Sequence, residues 1–122
     1  ERGDNIVTAA KWYGTKIEPF IVDRKLARPE EEIVLGDRII KAIHIPGHSP
    51  GSTVYLVESE GMAVLFGQDV HGPIEPTIKS DPVSYKKSLS LLLSLKADIL
   101  CEGHYGIIEG KEEVARFIES FL

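Results

Sequence analysis

A ten-residue stretch rich in proline and glycine, residues 43–52, constrains the fold more than any other part of this chain. Pro46 fixes its own φ and disfavours helix at the residue before it. Gly47 and Gly51 permit backbone angles that other residues avoid. We therefore expect His48 to stand on a rigid loop that leaves a strand, and a rigid, loop-borne histidine suits a metal site.

The length and charge of the chain exclude several classes of protein. Its 122 residues suffice for one modest core, so we expect a single domain over residues 1–122. The net charge is −5 and the longest run of basic residues is Lys86-Lys87, which argues against nucleic acid as a partner. No apolar run approaches the ~20 residues that a membrane span needs, so we expect no membrane partner.

A cytoplasmic location is the simplest prediction, because the N-terminus lacks the layout of a secretory signal. Cys101 is the single cysteine and cannot form an intramolecular disulfide, which agrees with a reducing compartment. The chain has one Asn, one Gln, one Cys and one Met. This depletion of heat-labile residues is thermophile-like.

Hydrophobic periodicity and helix-capping signals give the expected structure of the first 32 residues. Asp4 or Asn5 is expected to cap a short first helix that ends at Gly14. An extended segment is expected within residues 17–27. Residues 29–32 read Pro-Glu-Glu-Glu, which predicts a solvated break rather than a binding feature.

Two β-hairpins are predicted in the middle of the chain. In the first, residues 33–35 pair with residues 38–45 across a tight Gly-Asp connection. In the second, residues 54–57 pair with residues 63–66. The last of these strands is apolar enough to be buried on both faces.

The remaining chain reads as helix, strand and helix. Asp81 is the expected N-cap of a helix that begins at Pro82 and extends to about Leu95. Residues 97–101 predict a short buried strand, and an amphipathic helix follows over residues 111–122.

Polar side chains follow three of the predicted strands, at the point where each strand gives way to a glycine-containing loop. These residues are His48, Asp69 and His104. Two imidazoles and a carboxylate are suitable ligands for zinc or iron, and the carboxylate has two oxygens with which to bridge two metals. Each residue also has a plain structural explanation, as a histidine hydrogen-bonded in a turn or an aspartate in an Asx-turn.

Four further residues are candidates for supporting these ligands. His44 alternates with isoleucines on its strand, which favours a packed, hydrogen-bonded neighbour over a ligand. His71 is either a support for the ligands or simply exposed. Cys101 is expected to be a buried small hydrophobe, and its closeness to His104 leaves a metal or redox role open. Tyr105, next to His104, is the fourth candidate.

Three motifs carry a resemblance to a known family. His-Ile-Pro-Gly-His-Ser-Pro-Gly-Ser, then Leu-Phe-Gly-Gln-Asp, then Glu-Gly-His resemble the second half of the metallo-β-lactamase-fold superfamily, the group that includes glyoxalase II. The resemblance spans most of the chain from Ile33 onward. The family usually has Gly-Asp where this chain has Gly-Gln-Asp. The resemblance implies an α/β fold, the C-terminal half of a four-layer αββα sandwich.

The resemblance also implies a ligand set. His48 would bind one metal, His104 a second, and Asp69 would bridge the two and act as the catalytic residue. Two zinc ions are expected in the complete fold, with iron as the other metal. The family's earlier His-x-His-x-Asp-His signature does not occur among these 122 residues. Two protein ligands on each metal should therefore bind weakly.

The function that the resemblance implies is metal-dependent hydrolysis, in which metal-bound hydroxide attacks an ester, thioester, lactone or related bond of a small-molecule substrate. This chain would supply about half of a dinuclear site and be inactive alone. Its expected partner is the missing N-terminal half or a second copy of the chain. Two alternatives stay open: a non-catalytic fragment or self-associating module, and an iron-dependent oxidoreductase on the same fold.

Overall fold

Six strands form one mixed sheet in which neighbouring strands follow each other along the chain. The structure, a computed structural model, describes residues 3–122. The strands are β1 (Glu30–Leu35), β2 (Arg38–His44), β3 (Thr53–Ser59), β4 (Met62–Phe66), β5 (Ile99–Glu102) and β6 (Gly106–Glu109). The helices are α1 (Pro82–Ser94) and α2 (Lys111–Glu119). β4 and β5 pair in parallel and all other pairs are antiparallel, so the predicted α/β class is confirmed.

Both predicted hairpins are confirmed. Leu35 pairs with Arg38, which leaves Gly36 and Asp37 as the two-residue connection between β1 and β2. Gly36 has φ of 62°, a left-handed angle that suits a tight hairpin turn. β3 and β4 pair from Ser59 onward through an equally short connection.

Helix α1 begins where the capping signals predicted. The carboxylate of Asp81 accepts hydrogen bonds from the backbone N–H groups of Val83 and Ser84, at 3.2 and 3.1 Å. Pro82 occupies the first turn, where its missing N–H has no intrahelical partner to lose. The predicted apolar stripe lies inward, with Tyr85 and Leu89 buried.

The two helices cover one face of the sheet. Their buried side chains pack with the inward residues of β3, β4 and β5 into one hydrophobic cluster. On the opposite face, Tyr55, Phe66, Cys101 and Ile107 lie side by side across four strands. Tyr55, Phe66 and Ile107 are 39%, 47% and 68% exposed, so within residues 3–122 nothing buries this apolar row.

The expectations for the N-terminal part were partly right: the carboxylate of Asp4 accepts two backbone N–H groups as a cap, and Gly14 ends the segment with φ of 64°. The predicted continuous helix is not present. The first helix is only a set of turns and a short 3-10 helix, Ala10–Tyr13. Ile6 and Tyr13 of the expected apolar stripe are 57% and 76% exposed, and only Ala10 of that stripe is fully buried. Residues 17–27 form no strand.

The structure also differs from the sequence-based expectations at three strands. The acidic break predicted at residues 29–32 is largely the beginning of β1, which starts at Glu30. β4 is not buried on both faces, since only Leu65 of its five residues is fully buried. β6 was not predicted at all, because its four residues lie between glycines that read as loop.

None of the helices within residues 3–122 is long and apolar enough to cross a membrane. The cytoplasmic location, the absence of a nucleic-acid partner and the thermophile-like character stay predictions. So does the single domain, of which the first two residues lie outside the described part of the chain.

Candidate metal centre

The structure brings the three predicted ligands together at one rim of the sheet. Asp69 lies between the two imidazoles. Its Oδ2 is 3.4 Å from Nε2 of His48, and its Oδ1 is 2.8 Å from Nε2 of His104. The expected convergence of three sequence-distant donors is therefore present, while their role as metal ligands stays a prediction.

The His48 loop is fastened to helix α1 through backbone carbonyls. The backbone N–H of Asp81 donates to the carbonyl of Gly47 at 2.8 Å, and the hydroxyl of Ser88 donates to the carbonyl of Pro46 at 2.7 Å. Gly47 approaches the backbone of Tyr85 so closely that only a residue without Cβ fits. His48 thus projects from a loop that the helix holds at two points.

The Asp69 loop is fastened to the same helix. The hydroxyl of Tyr85 donates to the carbonyl of Val70 at 2.6 Å. Burial raises the pKa of Tyr85 to about 12, and the nearby Glu102 carboxylate adds to the rise, so the phenol stays a neutral donor at ordinary pH. Helix α1 therefore sets the positions of both loops.

The second nitrogen of His48 fixes which form of the ring is present. Its Nδ1 lies 2.8 Å from the carbonyl oxygen of Pro73. Because a carbonyl can only accept, Nδ1 must carry the proton, and in the neutral ring Nε2 carries a lone pair. That lone pair faces the carboxylate of Asp69, an arrangement that a proton or a metal cation between them stabilises.

Glu102 is a site residue that sequence reasoning missed. Its side chain is fully buried and its Oε1 is 2.7 Å from Nδ1 of His71. Its Oε2 accepts hydrogen bonds from the backbone N–H groups of His104 and Tyr105, at 2.7 and 2.9 Å. One carboxylate thereby positions two histidines. The available signal was strand alternation, which places Glu102 on the same face as the buried Leu100, where a carboxylate needs partners.

The pKa of Glu102 is set by opposing effects. Burial is the largest influence and favours the neutral acid. The hydrogen bonds from His71, His104 and Tyr105 together outweigh it, so the pKa lies below its ordinary value and the group is ionised at neutral pH.

His71 lies in the cluster rather than at its margin. One donor atom from each of Asp69, His71 and His104 lies within 4.8 Å of the other two. The rings of His71 and His104 meet edge to face, with centroids 5.0 Å apart.

The other candidates lie in different surroundings. His44 is exposed rather than packed, and its Nε2 is 2.8 Å from the carbonyl oxygen of Pro50. Cys101 is half-buried on the uncovered face of the sheet, not in the core. Tyr105 is 61% exposed and its ring lies 5.1 Å from that of His71, so it shields one side of that imidazole.

A cleft of about 600 Å³ opens onto the three predicted ligands. Its opposite wall comes from the N-terminal turns, including Val7, Trp12 and Tyr13. The cleft is large enough for a small molecule and combines aromatic walls with a cluster of metal-ligand side chains.

The donor chemistry fits a divalent transition metal. Imidazole nitrogens and carboxylate oxygens are the ligands that zinc and non-haem iron take in proteins. Histidines whose other ring nitrogen bonds a carbonyl or a carboxylate, as in His48 and His71, have the arrangement usual for metal-bound imidazoles.

No protein-family model and no curated protein matches this chain. Solved structures do match. An archaeal metallo-β-lactamase superfamily protein from Sulfolobus tokodaii is 20% identical with a TM-score of 0.67, covering 96% of this chain and 47% of that one. A metallo-β-lactamase family protein from Thermus thermophilus is 21% identical with a TM-score of 0.68, covering 93% and 38%. A Cronobacter sakazakii metallo-β-lactamase with a HARLDQ motif is 19% identical with a TM-score of 0.67, covering 88% and 50%.

These identities establish the fold alone. The chain spans about half or less of the length of the structures it matches, in agreement with the half-fold that the sequence motifs implied. This chain therefore has the metallo-β-lactamase fold and makes up about half of it.

Proposed function

We propose that this chain supplies about half of the metal centre of a hydrolase that cleaves an ester, thioester, lactone or related bond. One observation carries the proposal: the two oxygens of Asp69 face Nε2 of His48 and Nε2 of His104 on opposite sides. A carboxylate between two imidazoles is suited to bridging two metals. The solved structures that share the fold are described as metallo-β-lactamases or as members of that superfamily. Because a β-lactamase hydrolyses an amide bond, this likeness supports hydrolysis as the reaction.

Zinc at this centre would act as a Lewis acid and lower the pKa of a bound water toward ~7, with iron as the other suitable metal. The chain's own residues hold the donors in place. The Pro73 carbonyl fixes the tautomer of His48, and Asp69 directs one oxygen to each histidine. Asp69 is the catalytic residue of this proposal, and no separate general base is assigned.

The remaining ligands would come from a partner layer on the uncovered face of the sheet. Tyr55, Phe66 and Ile107 form an exposed apolar row there, which a second sheet would bury. The proposed partner is a complementary half that carries the His-x-His-x-Asp-His signature. The cleft next to Asp69 would take the small-molecule substrate.

The same apolar row favours a second candidate, a non-catalytic module that associates with another copy of itself. The metal content of the assembly with a complementary half separates the two functions, because only the hydrolase requires stoichiometric zinc or iron there. Elemental analysis of that assembly is therefore the first measurement.

The decisive experiment combines this chain with a complementary half that carries the missing signature. Turnover of a panel of nitrophenyl esters, thioesters and lactones should appear only in the metal-loaded assembly. Asp69→Asn should reduce turnover to background. His44→Ala is the matched control. It should retain the rate, because the His44 ring is exposed and bonds the Pro50 carbonyl rather than any of the three predicted ligands.

A metal-loaded assembly that turns over no member of the panel would overturn the proposal. Turnover by this chain alone at the rate of the assembly would overturn the half-site part of it.

A further inference from the structure

Three side chains with metal-ligand atoms cluster within this chain, without a contribution from the complementary half of the fold. Asp69, His71 and His104 each place one donor atom within 4.8 Å of the others. The family resemblance assigns no ligand role to His71, so this grouping adds an imidazole to the predicted set. His71 and Asp69 are partly buried, which limits competition from bulk water.

The hydrogen bond of His71 prepares the ring for metal binding. Its Nδ1 lies 2.7 Å from Oε1 of Glu102. The other oxygen of the same carboxylate accepts two backbone N–H groups, so Glu102 is placed as an acceptor. With Nδ1 of His71 as the donor, Nε2 keeps its lone pair. A carboxylate that orients an imidazole and raises its basicity is a recurrent support of metal-bound histidines.

Glu102 also fixes the position of the second histidine. Its Oε2 accepts the backbone N–H of His104 at 2.7 Å. Because the Glu102 side chain is fully buried, its position is set by the core and not by solvent. His71 and His104 are therefore held relative to each other by one rigid group, which reduces the entropy lost when both bind one ion.

The two sides of Asp69 are unequal as a result. On the Oδ1 side, His104 at 2.8 Å and the clustered His71 complete a set of three donors. On the Oδ2 side, His48 at 3.4 Å is the only imidazole that the described residues place against that oxygen.

We propose that Asp69, His71 and His104 form a self-sufficient site for one divalent first-row transition metal, so that this chain alone binds one ion firmly and the His48 side binds only weakly. Two histidines and one carboxylate match both a zinc site with an open position and a non-haem iron(II) site. The inference rests on the metal-binding part of the proposed function and does not require hydrolysis.

The test titrates the 122-residue chain with zinc in competition with a chelator of known affinity. The titration is repeated with iron(II) in the absence of oxygen, to show which of the two metals the site binds more tightly. The wild-type chain should bind one equivalent firmly. His71→Ala should weaken that binding by at least about 10- to 100-fold, the loss usual even for a support of a ligand. The control His44→Ala should leave the first equivalent nearly unchanged, and His48→Ala should weaken it clearly less than His71→Ala does.

A measurement on the unmodified chain guards against a variant that fails to fold. In imidazole ¹H–¹⁵N spectra, one equivalent of zinc should shift the Nε2 resonances of His71 and His104 and leave those of His44 in place. Zinc that shifts His48 and His104 but not His71 would overturn the inference, as would equal losses of affinity in His48→Ala and His71→Ala.

The outcomes also distinguish this inference from the proposed function. A chain that binds no metal alone, yet turns over substrate when the complementary half is present, refutes the inference and leaves the hydrolase standing. A chain that binds one ion through His71 but never turns over substrate in the assembly supports the inference and refutes the hydrolase.

Discussion

Replacement of Gly47 by alanine tests how helix α1 holds the His48 loop. Gly47 has φ of 144°, an angle that residues with a side chain rarely adopt. A methyl group at this position would lie 2.2 Å from Cα and 2.4 Å from the backbone nitrogen of Tyr85. These are backbone atoms of a helix, so no rotamer change relieves the contact.

The cost follows from how far the loop and the helix must separate. Carbon atoms pack at about 3.5 Å or more, so the 2.2 Å separation must grow by about 1.3 Å. That movement stretches two hydrogen bonds. One runs from the backbone N–H of Asp81 to the Gly47 carbonyl, and the other from the hydroxyl of Ser88 to the Pro46 carbonyl. Overpacking, backbone strain and weakened hydrogen bonds together should cost roughly 3 to 6 kcal/mol.

Urea denaturation measures this loss as a lower midpoint, and a thermal melt should show a Tm lower by roughly 10 °C or more. Gly51→Ala is the matched control, four residues further along the same loop. Gly51 is exposed and nothing lies within 4 Å of an added Cβ, so the free energy of unfolding should change by less than about 0.5 kcal/mol. A Gly47→Ala chain as stable as the Gly51→Ala chain would refute the close approach and its assigned role.

Further predictions concern the core and the pH dependence of stability. Leu65 is fully buried, so Leu65→Ala should lower the free energy of unfolding by about 2 to 5 kcal/mol, measured in urea, with half-exposed Phe66→Ala costing clearly less. The hydroxyl of Tyr85 bonds the Val70 carbonyl, and burial followed by the Glu102 charge raises the pKa of Tyr85 to about 12. Its stabilisation should be complete below the unfolded pKa of about 10 and be lost as pH rises through 12. Tyr85→Phe should remove that alkaline component, and identical pH profiles for both chains would contradict it.

Local signals predicted the hairpins and helix α1 because their chemistry is contained within a few residues. A left-handed Gly36 closes the first hairpin, and Asp81 followed by Pro82 begins the helix. Neither feature depends on distant parts of the chain, so sequence alone was sufficient.

The acidic run at β1 was misread because its structure depends on a partner strand. Glu30, Glu31 and Glu32 pair in register with residues 41–43 of β2, and Glu30 lies 3.5 Å from the ammonium group of Lys41. β1 is at the edge of the sheet, where charged residues are tolerated and protect against pairing with other chains. Composition indicated exposure correctly but could not indicate the pairing.

The site was predicted to the extent that its residues follow strands. His48, Asp69 and His104 could be found because each ends an apolar segment before a glycine loop. The place of His71 could not, since it depends on the fold of the loop after β4 and on a bond to Glu102 at the end of β5. Contacts between residues 31 positions apart have no local signature.

Helix α1 explains why a half of this fold can carry an organised site. The loops of His48 and of Asp69 both bond to α1, one through the Gly47 carbonyl and the other through Val70. Glu102 extends from β5, which pairs with β4, and its place in the core is independent of any partner layer. Because these supports all belong to the chain itself, adding a second layer should complete the ligand set without first having to order it. We therefore expect the metal affinity to rise on assembly because ligands are added. The hydrogen bonds between α1 and the two loops should be the same before and after assembly.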